Sequence, residues 1–110
     1  MKINVLGTKY TIEERTEHED EFLKKFDGYC DKTSKRIVIV KEKADSELDN
    51  WRVYRNQCMR HEIIHAFMFE SGLQNDWQHP NEFGHDETTV DWIAIQFPKM
   101  LKAFKEAGCI

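Results

Sequence analysis

No stretch of the 110-residue sequence is long and apolar enough to cross a bilayer: the opening MKINVLGTKYTIEER is interrupted by Gly7 and by charges, and no later run approaches the roughly 20 residues a spanning helix needs. Broad basic surface is missing as well. Sixteen lysines and arginines are interspersed with twenty acids for a net charge of −4, so neither nucleic acid nor an anionic membrane is an expected partner. Cysteine is scarce and unpaired: Cys30, Cys58 and Cys109 make an odd count without close spacing, which suits reduced thiols better than a disulfide framework or a cysteine zinc site. Internal repeats, low-complexity tracts and proline-rich linkers are also lacking. The expectation is one cytoplasmic domain over residues 1–110, with a modest core.

Periodicity divides what remains near Lys43. Residues 1–43 read mainly as strands: KINVL, KYTIEER and KRIVIVK are short and rich in β-branched residues, with the polar stretch DGYCDKTSK between the last two. Hairpins or an antiparallel meander are expected. DEFLKKF, residues 20–26, is open between a helical turn and a loop. From Ser46 the period becomes helical, with Trp51, Tyr54, Cys58, His61, Ile64 or His65, and Met68 recurring until Gly72, so residues 46–72 are expected to form one long helix. Residues 73–85 lack periodicity and hold Pro80 and Gly84, as a loop does. Asp86 is placed to cap a last helix over 86–107, with Val90, Ile93, Ala94, Phe97, Leu101 and Phe104 as its apolar stripe. Pro98 should kink or split it. Trp51, Trp77 and Trp92 read as packing residues.

The long helix carries HEIIH, residues 61–65. Residues four apart lie one turn apart on one helix face, so His61 and His65 can each offer a ring nitrogen to one divalent ion, and Glu62 can reach a water bound to it. Zinc would lower the pKa of that water to roughly 7, where a neighbouring carboxylate can take its proton. A shuffled chain of this composition shows the pattern roughly 2 times in 100, so context decides. Ile63, Ile64, Ala66 and Phe67 argue against a helix segment wholly exposed to solvent, and histidines near a core need partners.

Glu87 and Asp91 repeat the four-residue spacing on the last helix. Glu87 can supply a third, oxygen ligand, with His85, His79 and Asp91 as other candidates, and Asp91 can accept the remaining N–H of a ligand histidine. A metzincin pattern fails, since Met68 and Ser71 stand where a glycine and a histidine are required. HExxH followed after a loop by ExxxD resembles the glutamate-zincin metallopeptidases. More narrowly, HEIIH with the later ETTVDWIA is similar to the ImmA/IrrE family of small intracellular metallopeptidases, with its HExxH and E-x-x-A-[DN]-x-F-A segments. That resemblance implies His61, His65 and Glu87 as ligands of one zinc ion per chain, Glu62 as general base, Asp91 as the residue behind a ligand, and a minimal member of the phage or mobile-element type.

The expected architecture is α+β: a small, mainly antiparallel sheet packed on the motif helix and the C-terminal helix, a minimal zincin-like fold. RIVIV is a candidate edge strand for binding an extended peptide. The expected function is that of a zinc metalloendopeptidase acting on a protein or peptide. The alternative is a metal-stabilised binding module without catalysis, in which His79 or His85 closes the metal site; a metal-free helical hairpin would need Glu87 and Asp91 to face solvent. Tyr54, His79 and His85 are chemically able to stabilise an oxyanion, and nothing in the sequence selects among them.

Overall fold

Four short strands, β1 (Lys2–Val5), β2 (Thr8–Arg15), β3 (Gly28–Asp31) and β4 (Arg36–Val40), form one sheet in the order β1-β2-β4-β3. Two helices follow, α1 (Trp51–Ser71) and α2 (Glu87–Glu106), giving an α+β fold. The structure is a computed structural model and describes residues 1–75, 81 and 86–110. Neither helix is long and apolar enough to cross a membrane among those residues.

The β1–β2 hairpin turns through Leu6 and Gly7, both at positive φ, and the Gly7 N–H donates to Asn4 Oδ1 at 2.8 Å. Two successive positive φ values are what a two-residue turn needs to match the twist of antiparallel strands. β4 pairs with β2 in parallel and with β3 antiparallel, so the sheet is mixed rather than a plain meander. RIVIV is therefore central, not an edge. Ile37 and Ile39 pack with Val5, Tyr10, Ile12 and Ala66 on the α1 side, while Val38 and Val40 pack with Leu23 on the other. A strand buried on both faces reads as an uninterrupted apolar run, as this one does.

β3 occupies the edge, within the DGYCDKTSK stretch that reads as polar connection. Its hairpin to β4 is held by the Asp31 carboxylate, which accepts from the Thr33 backbone N–H at 2.9 Å and from the Thr33 and Ser34 hydroxyls at 2.6 and 2.8 Å. Those donors hold the Asp31 carboxyl well below the usual range. Residues 20–26 resolve into a short 3-10 turn, Glu21–Lys24, capped by Asp20 and anchored by the buried Leu23.

α1 starts at Trp51 rather than at residue 46: Asn50 is the cap, accepting from the Val53 N–H, and Ser46 to Asp49 lie outside the helix. Gly72 closes it in the left-handed conformation. Its seat on the sheet is fixed at both ends. The Glu70 carboxylate accepts from Thr8 Oγ1 at 3.0 Å, Tyr10 Oη at 2.7 Å and Lys35 Nζ, while Arg55 makes a forked pair with Glu14 and the Tyr54 hydroxyl donates to Asp27.

α2 packs on α1 through the buried Val90 and Ala94, with Ile93 and Leu101 half-buried. The expected stripe thins toward the C-terminus, where Phe97 and Phe104 are exposed. Pro98 does not split the helix. Trp51 packs against the Leu23 cluster, Trp92 is mostly exposed, and Trp77 lies outside the described residues, as does most of the expected loop 73–85.

Candidate metal centre

Helical spacing puts Tyr54, Cys58, His61 and His65 on one face of α1, and the first turn of α2 meets that face. Asp86 caps α2, its Oδ1 accepting from the Thr89 N–H at 2.7 Å, which fixes the turn that carries Glu87. His61 Nε2 lies 3.1 Å from His65 Nε2, Glu87 Oε2 is 3.1 Å from His61 Nε2, and Glu87 Oε1 is 3.0 Å from His65 Nε2. Ligand atoms at 2.0–2.1 Å from a tetrahedral ion would stand roughly 3.3 Å apart. The two imidazole nitrogens stand near that spacing, each with a different Glu87 oxygen beside it; taken one atom per residue, the three ligand atoms lie within 4.8 Å of one another, so the trio can hold a metal ion.

Behind the trio, His61 Nδ1 lies 3.2 Å from Asp91 Oδ1. A proton on Nδ1 donated to that carboxylate leaves the Nε2 lone pair directed at the trio, which is the tautomer a metal ligand needs. The His65 ring stacks on Phe69 with centroids 6.0 Å apart. The Glu87 and Asp91 side chains are 73% and 53% exposed, and their carboxylates lie 3.0–3.2 Å from imidazole nitrogens.

No protein-family model, curated protein or solved structure matches the chain. Its chemistry therefore rests on its own geometry.

Glu62 lines the same cavity as the trio, a space of about 1100 Å³. It is only 8% exposed, and that burial pushes its carboxyl up to about 7, with Glu87 adding to the rise and His61 opposing it. Room for it comes from Gly28 on β3. A Cβ at residue 28 would stand 2.9 Å from the Val38 carbonyl oxygen, 3.1 Å from Ile39 Cδ1 and 3.3 Å from Glu62 Cγ. Glycine lets the edge strand and the Glu62 side chain share that space.

Cys30 and Cys58 also line the cavity, and burial raises their thiols to about 12 and about 11. Both are neutral at physiological pH, so thiolate ligation is disfavoured without a metal to displace the proton. Cys109 is exposed near the C-terminus. Tyr54 borders the cavity as well, but its hydroxyl donates to Asp27. His79 and His85 lie outside the described residues.

The structure thus brings together His61, His65, Glu87 and Asp91, with Glu62 in the same cavity. Gly28 was missed: within DGYCDK it carries only a turn signal, and its role depends on pairing with Ile39 of β4 and on the approach of Glu62, which no local pattern expresses. Arg60 was missed for a similar reason. Its Nε donates to the Ala94 carbonyl oxygen of α2 at 2.6 Å, a long-range contact with no local motif.

Proposed function

We propose that the protein is a zinc-dependent metallopeptidase. The observation that carries this reading is the group of His61, His65 and Glu87 ligand atoms in one cavity with the buried Glu62. Two imidazoles and one carboxylate are a familiar donor set of catalytic zinc, and three protein ligands leave a coordination position open. When bound, the metal supplies polarisation of a peptide carbonyl and a water acidified to roughly pKa 7.

The chain's own residues supply the rest. Asp91 holds the His61 ring in the metal-facing tautomer. The Glu62 carboxylate accepts a proton from the attacking water and returns it to the leaving amine nitrogen. Its raised pKa keeps proton affinity close to neutral, while a cation in the trio draws it back toward the ionised form that a base requires. An extended substrate would lie along β3, the sheet's edge strand among the described residues, which adjoins the cavity, rather than along β4. The resemblance to ImmA/IrrE points to a regulatory protein of a phage or mobile element as the substrate.

The test is the metal content of protein purified without added metal, beside cleavage of a mixed peptide library. Wild type should carry about one zinc per chain, and His61→Ala and Glu87→Ala should each lose it. Glu62→Gln should keep the metal and abolish cleavage. Metal-loaded wild type that cuts no peptide would instead favour the non-catalytic binding module.

A further inference from the structure

The cavity extends beyond the metal-binding trio, around β3, the edge strand among the described residues, to Phe22 and Phe26. β3 has two faces there. Gly28 and Cys30 pair with Ile39 and Ile37, which pack toward α1, whereas Tyr29 pairs with Val38, which packs with Leu23 on the opposite face. On that second face the Tyr29 and Phe22 rings lie 5.6 Å apart and the Phe22 and Phe26 rings 6.4 Å apart. Leu23 anchors the turn between them, and the Asp20 carboxylate accepts from the Phe22 N–H. Phe22 and Phe26 are nevertheless 64% and 54% exposed, an aromatic shelf beside a strand that has no outer neighbour among the described residues.

We propose that the β3 edge selects an extended polypeptide segment bearing a large apolar side chain at the residue paired with Tyr29, where the Phe22 and Phe26 shelf receives it. The proposal rests on the peptidase reading for its substrate class and adds the specificity. Residues paired across neighbouring strands place their side chains on the same face, whichever way the added strand runs. The residue opposite Tyr29 therefore meets the shelf, and those opposite Gly28 and Cys30 turn toward the metal side. Charge narrows the ligand further. Besides Glu62, Asp27, Asp86, Glu87 and Asp91 line the cavity and remain in the Glu62→Gln protein, and no lysine or arginine lines it among the described residues. A segment with basic neighbours fits this wall, and one with acidic neighbours does not.

The probe is a fluorescein-labelled decapeptide of serine, threonine and lysine with one central phenylalanine, bound to zinc-loaded Glu62→Gln protein and followed by anisotropy. Replacing the central phenylalanine with serine should weaken binding about tenfold, as expected for losing partial burial of one aromatic side chain. The double variant Phe22→Ser, Phe26→Ser, made at exposed positions and in the same Glu62→Gln background, should bind both peptides equally. A third peptide, with glutamate for lysine, should bind more weakly still. Equal affinity for the phenylalanine and serine peptides, or a phenylalanine preference that survives the double variant, would overturn the shelf. Glutamate and lysine peptides binding alike would remove the charge argument and the choice of ligand with it. Hydrolysis of the same peptides by zinc-loaded wild type separates the two readings. Selective binding without cleavage keeps the shelf and sinks the peptidase; cleavage indifferent to the central residue does the reverse.

Discussion

Arg60 Nε donates to the Ala94 carbonyl oxygen at 2.6 Å, and Ala94 is the residue whose helical donor is missing because Pro98 has no N–H. The carbonyl orphaned inside α2 is thus satisfied from α1. Ala94 is fully buried, so water cannot easily replace that donor. Each helix carries part of the metal trio, with Arg60 next to His61 and Ala94 one turn beyond Asp91. One hydrogen bond therefore helps set the register between the two halves of the site.

Removing Arg60 should cost about 1–3 kcal/mol, the penalty for a buried carbonyl left without a partner. Pro98→Ala restores an N–H at residue 98, so Arg60→Ala in that background should cost less. Urea unfolding of wild type, both single variants and the double variant gives the coupling directly. An equal cost of Arg60→Ala in both backgrounds would show that the guanidinium does not stand in for the missing donor.

Asp91→Ala should weaken metal binding without removing it, by about tenfold to a hundredfold, because His61 keeps its position on α1 but loses the acceptor on Nδ1. Glu87→Ala should be the more severe change. Competition with a zinc-binding dye measures both. Unchanged affinity in Asp91→Ala would mean the His61 ring is oriented by its neighbours on α1 alone.

Much of this arrangement is local and was legible in the sequence. The pairs at 61 and 65 and at 87 and 91 follow from helical periodicity, and Asp86 caps α2 as its position before the apolar stripe implies. The strands at 2–5, 8–15 and 36–40 show the β-branched pattern expected of them. What the sequence hid is set by distant partners. Gly28–Asp31 becomes a strand because β4 offers an edge, and β4 is central because β2 runs parallel beside it. Ser46 has the chemistry of a cap, but Asn50 is the residue that accepts from a first-turn N–H. Pro98 carries a real breaking signal, and Arg60, 38 positions away, answers the loss with its side chain.

Acid should loosen the seat of α1 on the sheet. The Lys35 ammonium, with the Tyr10 and Thr8 hydroxyls, holds the Glu70 carboxyl down at about 2, below its usual range. A depressed folded-state pKa contributes stability that is present above the unfolded pKa, roughly 4.3, and is lost as pH falls toward the folded value. The stability advantage of wild type over Glu70→Gln should therefore be constant near neutrality and shrink between about pH 4.5 and pH 2. Thermal midpoints of the two proteins across that range are the readout. A difference independent of pH would locate the effect in packing rather than in the carboxylate.

Glu62 should act in the opposite direction, and only while the trio is empty. Its folded-state pKa of about 7 lies above the unfolded value, so folding takes up a proton in that interval and stability falls as pH rises through it. Glu62→Gln lacks that penalty. In the presence of chelator the variant should be the more stable protein at about pH 8, by on the order of 3 kcal/mol, with the advantage fading by about pH 4. Zinc should shrink the advantage at about pH 8, because a nearby cation favours the ionised carboxylate. Urea midpoints for both proteins, with chelator and with one equivalent of zinc, separate the contributions. An advantage that grows with pH under chelator and collapses with zinc places the ion next to Glu62; one that zinc leaves untouched puts the ion too far away for Glu62 to serve as its base.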